Sequence, residues 1–291
     1  MRLPALIHLL GAVQSLLNLA LNPGHGFVTF FIRYRQLPPE MPPLKIAFRA
    51  GRQEVTVGTV SRIVGTLCSL ARPFPPARRQ VCCDVVEVRL DITGRPPGWL
   101  ARCQAIQERG WPALLTLRLK SEGGKWEGPD AQRFPIFEQG LQELAGVDVE
   151  WRSKIVHPVA ILAKRKRKVC VVSYHNFEKT PPAGKLEAII LEAQELASIV
   201  KISTRLNAAG DEEILRSLLA RKWKRPLCVI GMGPAWAHTR VLFPSLGSCL
   251  AYGYLDKPAA PGQPSAAQLS RQLRKNRAPA GDAEHGTENH V

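Results

Sequence analysis

Ionisable side chains lie inside or just after short apolar segments of this chain. Lys201 stands between Val200 and Ile202, and His175 follows the apolar run KVCVV. A charge is costly to bury unless it is paired or used in function. Desolvation and neighbouring cations favour the neutral form of an amine, which can then attack a ketone and form a Schiff base. Histidine titrates near neutral pH, so an imidazole beside that amine can move a proton.

Two other charged sets have the same placement. Glu87 and Arg89 are two residues apart in the run VVEVRLD, so both side chains share one face of a strand. Arg118 ends the run ALLTLR, and Glu122 follows in the loop SEGG. Together these residues offer carboxylates and guanidinium groups for binding a small polar molecule.

Each of these residues also has a structural interpretation. Lys201 can pair with a buried carboxylate such as Glu87 and take part in no chemistry. Glu87 can instead form an ion pair with Arg89, and His175 can be an ordinary loop or core histidine. Taken singly, the residues leave these alternatives open.

The elements that must position these residues alternate along the chain. Runs typical of strands lie at 55–60, 85–91, 113–118, 147–151, 168–174, 199–204, 226–232 and 248–255. Stretches typical of helices lie at 99–110, 137–146, 185–197, 211–222 and 265–275. Eight alternating units predict an α/β protein with a (β/α)8 TIM barrel, and a doubly wound sheet is the second choice. The carboxyl ends of barrel strands are where this fold holds its chemistry, and the charged residues lie at such ends.

Composition limits the class of protein and of partner. The chain has 291 residues, 45% of them apolar, which is enough for one barrel domain. A net charge of +16 favours anionic partners, either small carboxylates and phosphates or nucleic acid, and charge alone does not separate these. The number of cysteines is odd, at seven, and none form a CxxC motif, so we predict reduced thiols, a cytoplasmic location and no zinc site.

We divide the chain into an N-terminal extension at 1–50, a barrel at 51–275 and a disordered tail at 276–291. The extension holds the apolar run LPALIHLLGAVQSLLNLALNP, which is similar to a signal peptide or a membrane helix. Polar residues interrupt that run, and no clear cleavage site follows it. The other interpretations are an added helix and a true start at Met41. We expect the extension to lie outside the core.

Taken together and in order, the motifs resemble those of the type I 3-dehydroquinate dehydratases, which are Schiff-base-forming barrels of the shikimate pathway. The resemblance spans roughly residues 55 to 270. Its motifs are Glu87-Val88-Arg89, RLKSEGG, SYHNFEKTP, Lys201-Ile202, MGPAWAHTR and Ala259-Ala260-Pro261-Gly262-Gln263. The family's lid serine is Ala259 here, and Ala235 or Trp236 replaces a glycine of the MGxxG segment.

The resemblance implies a hydro-lyase that converts 3-dehydroquinate to 3-dehydroshikimate. Lys201 would form the Schiff base, His175 would be the general acid and base, and Glu122 would orient the imidazole. The implied substrate-binding residues are Glu87, Arg89, Arg118, Arg240, Gln263 and Ala259. We expect no metal, no organic cofactor, no nucleic acid and no membrane partner, and we expect a homodimer.

Two rival functions remain at this point. A Schiff-base class I aldolase would also use Lys201, but it would favour a phosphate-binding site at the last two barrel strands. A basic nucleic-acid-binding barrel without catalysis would account for the charge. A catalytically inactive relative is disfavoured, because no core catalytic residue is missing.

Overall fold

The computed structural model describes residues 46–58, 60–71, 74, 82–260 and 262–276. The proposed extension up to residue 45, the alternative start at Met41 and the tail from residue 277 lie outside the described residues. The division of the chain into three parts therefore stays a prediction.

The described part begins with an antiparallel hairpin of β1 (Ile46–Ala50) and β2 (Gln53–Val57). Eight parallel strands follow as β3 (Arg62–Leu67), β4 (Val85–Arg89), β5 (Ala113–Thr116), β6 (Gly146–Glu150), β7 (Val169–Asn176), β8 (Ile199–Arg205), β9 (Leu227–Met232) and β10 (Leu250–Tyr254). They pair in the order β10-β3-β4-β5-β6-β7-β8-β9. At the join between β9 and β10, the amide of Cys249 donates to the carbonyl of Leu227 at 2.9 Å. The predicted (β/α)8 TIM barrel is confirmed.

The prediction of a first barrel strand at 55–60 is wrong. Residues 53–57 are the second strand of the hairpin, and the first barrel strand is β3. The physical reason lies in the alternation of VTV, in which Val55 and Val57 are buried and Thr56 is partly exposed. Alternation is typical of a strand with one buried face, whereas parallel barrel strands are buried on both faces.

Helices cover the outside of the barrel. They are α1 (Leu90–Thr93), α2 (Trp99–Glu108), α3 (Phe134–Glu143), α4 (Val156–Arg165), α5 (Ala183–Leu196), α6 (Ala209–Leu219), α7 (Thr239–Ser245) and α8 (Ala266–Lys275). The last helix begins with a capping box, in which Ser265 Oγ accepts from the amide of Gln268 at 3.2 Å. No helix in these described ranges is long and apolar enough to cross a bilayer.

The interior of the barrel changes character from its amino end to its carboxyl end. At the amino end, Phe48, Val55 and Val57 of the hairpin pack in one cluster with interior strand residues such as Val85 and Ile199. On the same faces of these strands, the residues two positions further along are polar. Val85 is followed by Glu87, Ile199 by Lys201, and Val171 by Ser173. An apolar plug thus supports a polar layer that opens at the carboxyl rim.

Candidate active site

Lys201 lies at the centre of the polar layer, on β8, and is 4% exposed. Its Nζ is 2.9 Å from Oδ2 of Asp148 and 4.3 Å from the centre of the Tyr252 ring. The amine is therefore held between a carboxylate and an aromatic face. A buried carboxylate does pair with Lys201, as one alternative expected, but the partner is Asp148 and not Glu87.

Asp148, on β6, is fully buried. Its Oδ1 accepts from Nη2 of Arg118 at 2.6 Å and from Oγ of Ser173 at 2.6 Å. Burial would raise the pKa of this carboxyl, but the cations of Arg118 and Lys201 outweigh burial and hold the pKa well below its usual range. Asp148 is therefore an anion at neutral pH. Sequence reasoning missed it, although VDVEW places a charge inside an apolar strand just as IVKIST does.

The imidazole of His175, at the end of β7, lies against Glu122. Oε2 of Glu122 accepts from the backbone amide of His175 at 3.0 Å and lies 3.0 Å from Nδ1 of the ring. Burial lowers the pKa of His175 well below 6.5, and the cations of Arg118 and Lys201 lower it further. Burial raises the pKa of Glu122 to about 7, with Arg118 opposing the shift. The geometry fixes the ring through Nδ1 and leaves Nε2 to act on a ligand.

The loop that carries Glu122 depends on two glycines. Gly123 has φ +77°, and a Cβ there would lie 2.3 Å from the ring of Phe177. A Cβ at Gly124 would lie 2.1 Å from the carbonyl oxygen of Arg118. Side chains at these positions would displace the turn, so the GG of the SEGG motif is needed to place Glu122 next to His175.

Glu87 and Arg89, both on β4, have separate partners. Glu87 accepts from the hydroxyl of Thr66 at 3.0 Å and from the hydroxyl of Thr116 at 2.8 Å. Arg89 binds Asp91 through two nitrogens, at 3.0 Å and 2.8 Å. The alternative in which Glu87 and Arg89 form an ion pair with each other is therefore wrong. Both side chains line the same cavity as Lys201.

Arg240, in α7, is 9% exposed, and its guanidinium has no hydrogen bond or ion pair with any described residue. Burial lowers the pKa of its guanidinium to about 10, so it stays cationic at neutral pH. A buried and unpaired guanidinium in a cavity is suited to bind an anionic group of a ligand. His238, a near neighbour in sequence, instead pairs with Glu212 at 2.8 Å and is not among the cavity residues.

The loop after β10 covers the site. Oε1 of Gln263 accepts from the amide of Ala259 at 2.8 Å, and its Nε2 donates to the hydroxyl of Thr66 at 3.2 Å. At the start of the loop, the carboxylate of Asp256 accepts from the amide of Cys68 at 3.0 Å. Hydrogen bonds thus join Ala259 and Gln263 of the lid to each other and join the lid to β3.

All nine predicted site residues line one cavity. Its lining residues are Thr66, Glu87, Arg89, Arg118, Glu122, Gly123, His175, Phe177, Lys201, Ser203, Ile230, Met232, Arg240, Tyr252, Ala259, Ala260 and Gln263. Sequence reasoning missed Thr66, Ile230 and Tyr252, which follow apolar interior residues at a spacing of two, and Ser203, which follows Lys201 at the same spacing. Across the described ranges, no group of three or more His, Cys, Asp or Glu side chains is arranged to hold a metal ion.

Comparison with known proteins identifies the family of the chain. The family model of the type I 3-dehydroquinases matches residues 75–278. The 3-dehydroquinate dehydratase of Methanocella arvoryzae is 36% identical over 192 residues, which covers 66% of this chain and 86% of that protein. The corresponding protein of Pyrococcus abyssi is 37% identical over 182 residues, or 62% of this chain and 81% of that one.

Solved structures agree in fold. The type I 3-dehydroquinate dehydratase of Clostridium difficile superposes with a TM-score of 0.67 at 21% identity, covering 80% of this chain and 98% of that chain. The enzyme of Enterococcus faecalis superposes with a TM-score of 0.65 at 24% identity, covering 75% and 95%. Since the family model spans well over half of the sequence, this chain belongs to the type I 3-dehydroquinase family.

Proposed function

We propose that this chain removes water from 3-dehydroquinate to give 3-dehydroshikimate, through an imine on Lys201. The observation that carries the proposal is the juxtaposition, in one cavity, of a buried lysine on a carboxylate and a neutral histidine fixed through Nδ1. Family membership and the names of the relatives support the same reaction.

The covalent steps balance without a cofactor. Nζ of Lys201 bonds to the C3 ketone carbon, and the carbonyl oxygen leaves as water, which gives an iminium. The iminium draws electrons from the C2–H bond, and His175 takes the C2 proton as the enamine forms. The C1 hydroxyl then leaves with the proton from His175 as a second water. One water hydrolyses the conjugated iminium, so the net reaction releases one water and restores the amine.

Asp148 has a role throughout this sequence. The imine nitrogen is cationic until hydrolysis, and the carboxylate that contacts the free amine at 2.9 Å is in place to stabilise that charge. Arg118 and Ser173 hold the carboxylate from its other oxygen, so it need not reorient during the reaction. Preorganised charge of this kind stabilises a transition state without reorganisation.

The remaining cavity residues bind and enclose the substrate. The unpaired Arg240 grips the carboxylate, for which a guanidinium fork is well shaped. Glu87, Arg89 and Arg118 face the ring hydroxyls, and Gln263 closes over the substrate from the lid. Glu122 keeps the imidazole in one orientation, as the third group of a catalytic triad does.

The test combines turnover with trapping. Protein incubated with 3-dehydroquinate should develop the ultraviolet absorbance of a conjugated enone. Borohydride added with substrate should reduce the imine, and mass spectrometry should map the adduct to Lys201. Lys168→Ala, at the amino end of β7, is the matched control and should keep both signals. Turnover without an adduct, or with an adduct on another lysine, would contradict the assignment of Lys201.

A second variant separates imine formation from elimination. His175→Ala should still be trapped by borohydride, because imine formation needs the amine and the cavity. Its turnover should fall by at least roughly 10²-fold, the usual contribution of a positioned acid or base. Near-normal turnover would exclude His175 as the base. A Schiff-base aldolase would be indicated by trapping of Lys201 with a phosphorylated aldol substrate and no dehydration.

A further inference from the structure

A buried ion network lies beside the site without lining it. Arg133, just before α3, and Glu150, on β6, are both 0% exposed. Nη1 of Arg133 is 2.7 Å from Oε2 of Glu150 and also donates to the carbonyl of Leu117 at 2.5 Å. Nη2 of Arg133 is 2.6 Å from Asp130. Charged residues are almost never fully buried unless they are paired. Arg133 and Glu150 meet this condition, because each charge has the other as its partner.

The second oxygen of Glu150 faces the site. Oε1 accepts from the backbone amide of Leu119 at 2.9 Å and lies 3.2 Å from Nη1 of Arg118. Arg118 lines the cavity, and Leu119 directly precedes the helical turn Lys120–Glu122. A single carboxylate therefore holds the side chain of one cavity residue and the first amide of the loop that carries Glu122.

From these contacts we infer that the Arg133–Glu150 pair is a positioning device for the proposed reaction. It fixes Arg118 and the loop of Glu122, and through Glu122 it fixes the imidazole of His175. The inference rests on the proposed function. Neither Arg133 nor Glu150 lines the cavity, so neither touches substrate. Mere stability is a weak reason to keep such a pair, since buried ion pairs are often no more stabilising than apolar residues of similar volume.

The charges around the pair set a direction for the pH dependence. The groups that face Glu122 are Arg118 on one side, Glu150 and Arg152 from the end of β6, and the amide and imidazole Nδ1 of His175. The anion of Glu150 helps to raise the pKa of Glu122, after burial and against Arg118. Removal of that anion leaves the two cations in place, so the pKa of Glu122 should fall.

The charged groups that face His175 from four strands or their carboxyl ends are Arg118, Lys201, Asp148 and Arg89, and Glu122 lies 3.0 Å from its Nδ1. Glu150 is bound to the first of these and does not contact the imidazole directly. Loss of the Glu150 anion leaves Glu122 ionised to lower pH, and that carboxylate, beside Nδ1, opposes any fall in the pKa of His175. The shift to lower pH is therefore expected for the ionisation of Glu122.

The test is Glu150→Gln, which keeps the shape and one acceptor but removes the charge. In this variant kcat should fall by roughly 10- to 100-fold, because small displacements of catalytic groups cost up to about 10² in rate. KM should change by less than about threefold, and the inflection of the pH–kcat profile that reports the ionisation of Glu122 should move to lower pH. Borohydride should still trap Lys201, since its contact with Asp148 is untouched.

The matched control is Asp130→Asn. Asp130 holds the far end of the same network, through Arg133, the hydroxyl of Ser153 and the amide of Lys154, and it does not contact the loop of Glu122. We expect a loss of thermal stability in both variants, but an unmoved pH profile and less than about a threefold change in kcat in Asp130→Asn. Equal losses of kcat in the two variants, with unmoved profiles, would overturn the inference and make the network purely structural.

A second variant covers the case in which Glu150→Gln does not fold. Glu150→Asp keeps the charge but is one methylene too short to hold both Arg133 and the amide of Leu119. It should lower kcat while leaving the pH profile in place, and full kcat would overturn the inference. Wild-type protein that forms no enone from 3-dehydroquinate would contradict the proposed function itself. Active wild type with a normal Glu150→Gln variant would contradict only the positioning role.

Discussion

Asp148→Asn is the substitution for which the structure predicts the largest effect with the least change in shape. The carboxylate contacts Lys201 at 2.9 Å and Arg118 at 2.6 Å, and it is fully buried. Asparagine keeps an acceptor oxygen but brings no charge. The cationic iminium of the proposed reaction would lose its counter-ion. The cation of Arg118 would also lose an anionic partner.

The magnitude follows from charge separation. Opposite unit charges about 4 Å apart attract by about 4 kcal/mol at an effective dielectric constant near 20. The amide dipole of asparagine recovers part of this, which leaves about 3 kcal/mol. At about 1.4 kcal/mol per factor of ten, kcat/KM should fall by roughly 10²-fold. Loss of one partner of a buried pair should also cost about 3–5 kcal/mol of the free energy of unfolding, or roughly 6–20 °C in Tm for a domain of this size.

Two measurements keep these effects apart. Enone formation is followed at 25 °C, and thermal unfolding is followed separately by circular dichroism. Ser173→Ala is the control, because it removes a neutral partner of the same carboxylate, which it contacts at 2.6 Å, and it should cost only about tenfold. A folded Asp148→Asn variant with kcat/KM within about threefold of wild type would refute the role of Asp148 as the counter-ion of the iminium.

Three further predictions concern the lid, the pH dependence of stability and the N-terminus. Ala259→Ser should change kcat/KM by only about two- to twelvefold, which is the contribution of one neutral hydrogen bond. Gln263→Ala should lower kcat/KM by more, because it also removes the hydrogen-bond partner of the Ala259 amide and of the Thr66 hydroxyl. An unchanged kcat/KM in Gln263→Ala would mean that the lid does not touch substrate. Glu122 has a folded pKa of about 7, above its unfolded value, so its contribution to stability is complete below about pH 4.5 and is lost as the pH rises to 7. The stability of Glu122→Gln relative to wild type should therefore rise by roughly 3 kcal/mol between pH 4 and pH 8 in urea titrations, and an unchanged difference would exclude the raised pKa. A chain that begins at Met41 should fold and turn over substrate as the full chain does, and its failure to fold would show that residues 1–40 belong to the core.

The sequence was sufficient to predict the barrel because, within single strands, charged residues follow apolar residues on the same face. Lys201 and Glu87 each follow an apolar interior residue at a spacing of two, and that pattern indicates a polar layer at one end of a barrel. The first strand was assigned wrongly because alternation in VTVGTV is equally typical of a half-buried hairpin strand. The homodimer and the cytoplasmic location stay predictions.

The partners within the site could not be predicted from the sequence. Asp148 and Lys201 are 53 residues apart, and they meet because β7 lies between β6 and β8 in the sheet. Gln263 reaches Thr66 across 197 residues, because the sheet brings β10 beside β3. Local patterns give the face of a strand on which a charge lies. They do not give the strand order and register that decide which charge it meets.

The hairpin at the amino end of the barrel has a consequence for synthesis of the chain. Phe48, Val55 and Val57 pack against interior residues that include Val171 of β7, which is made more than 100 residues later. A two-stranded hairpin is at best marginally stable by itself in water. At about 5–20 residues per second, these apolar side chains wait on the order of 5 to 25 s for their partners. During that interval the nascent chain exposes a β edge and an apolar face together, which are the features that favour aggregation.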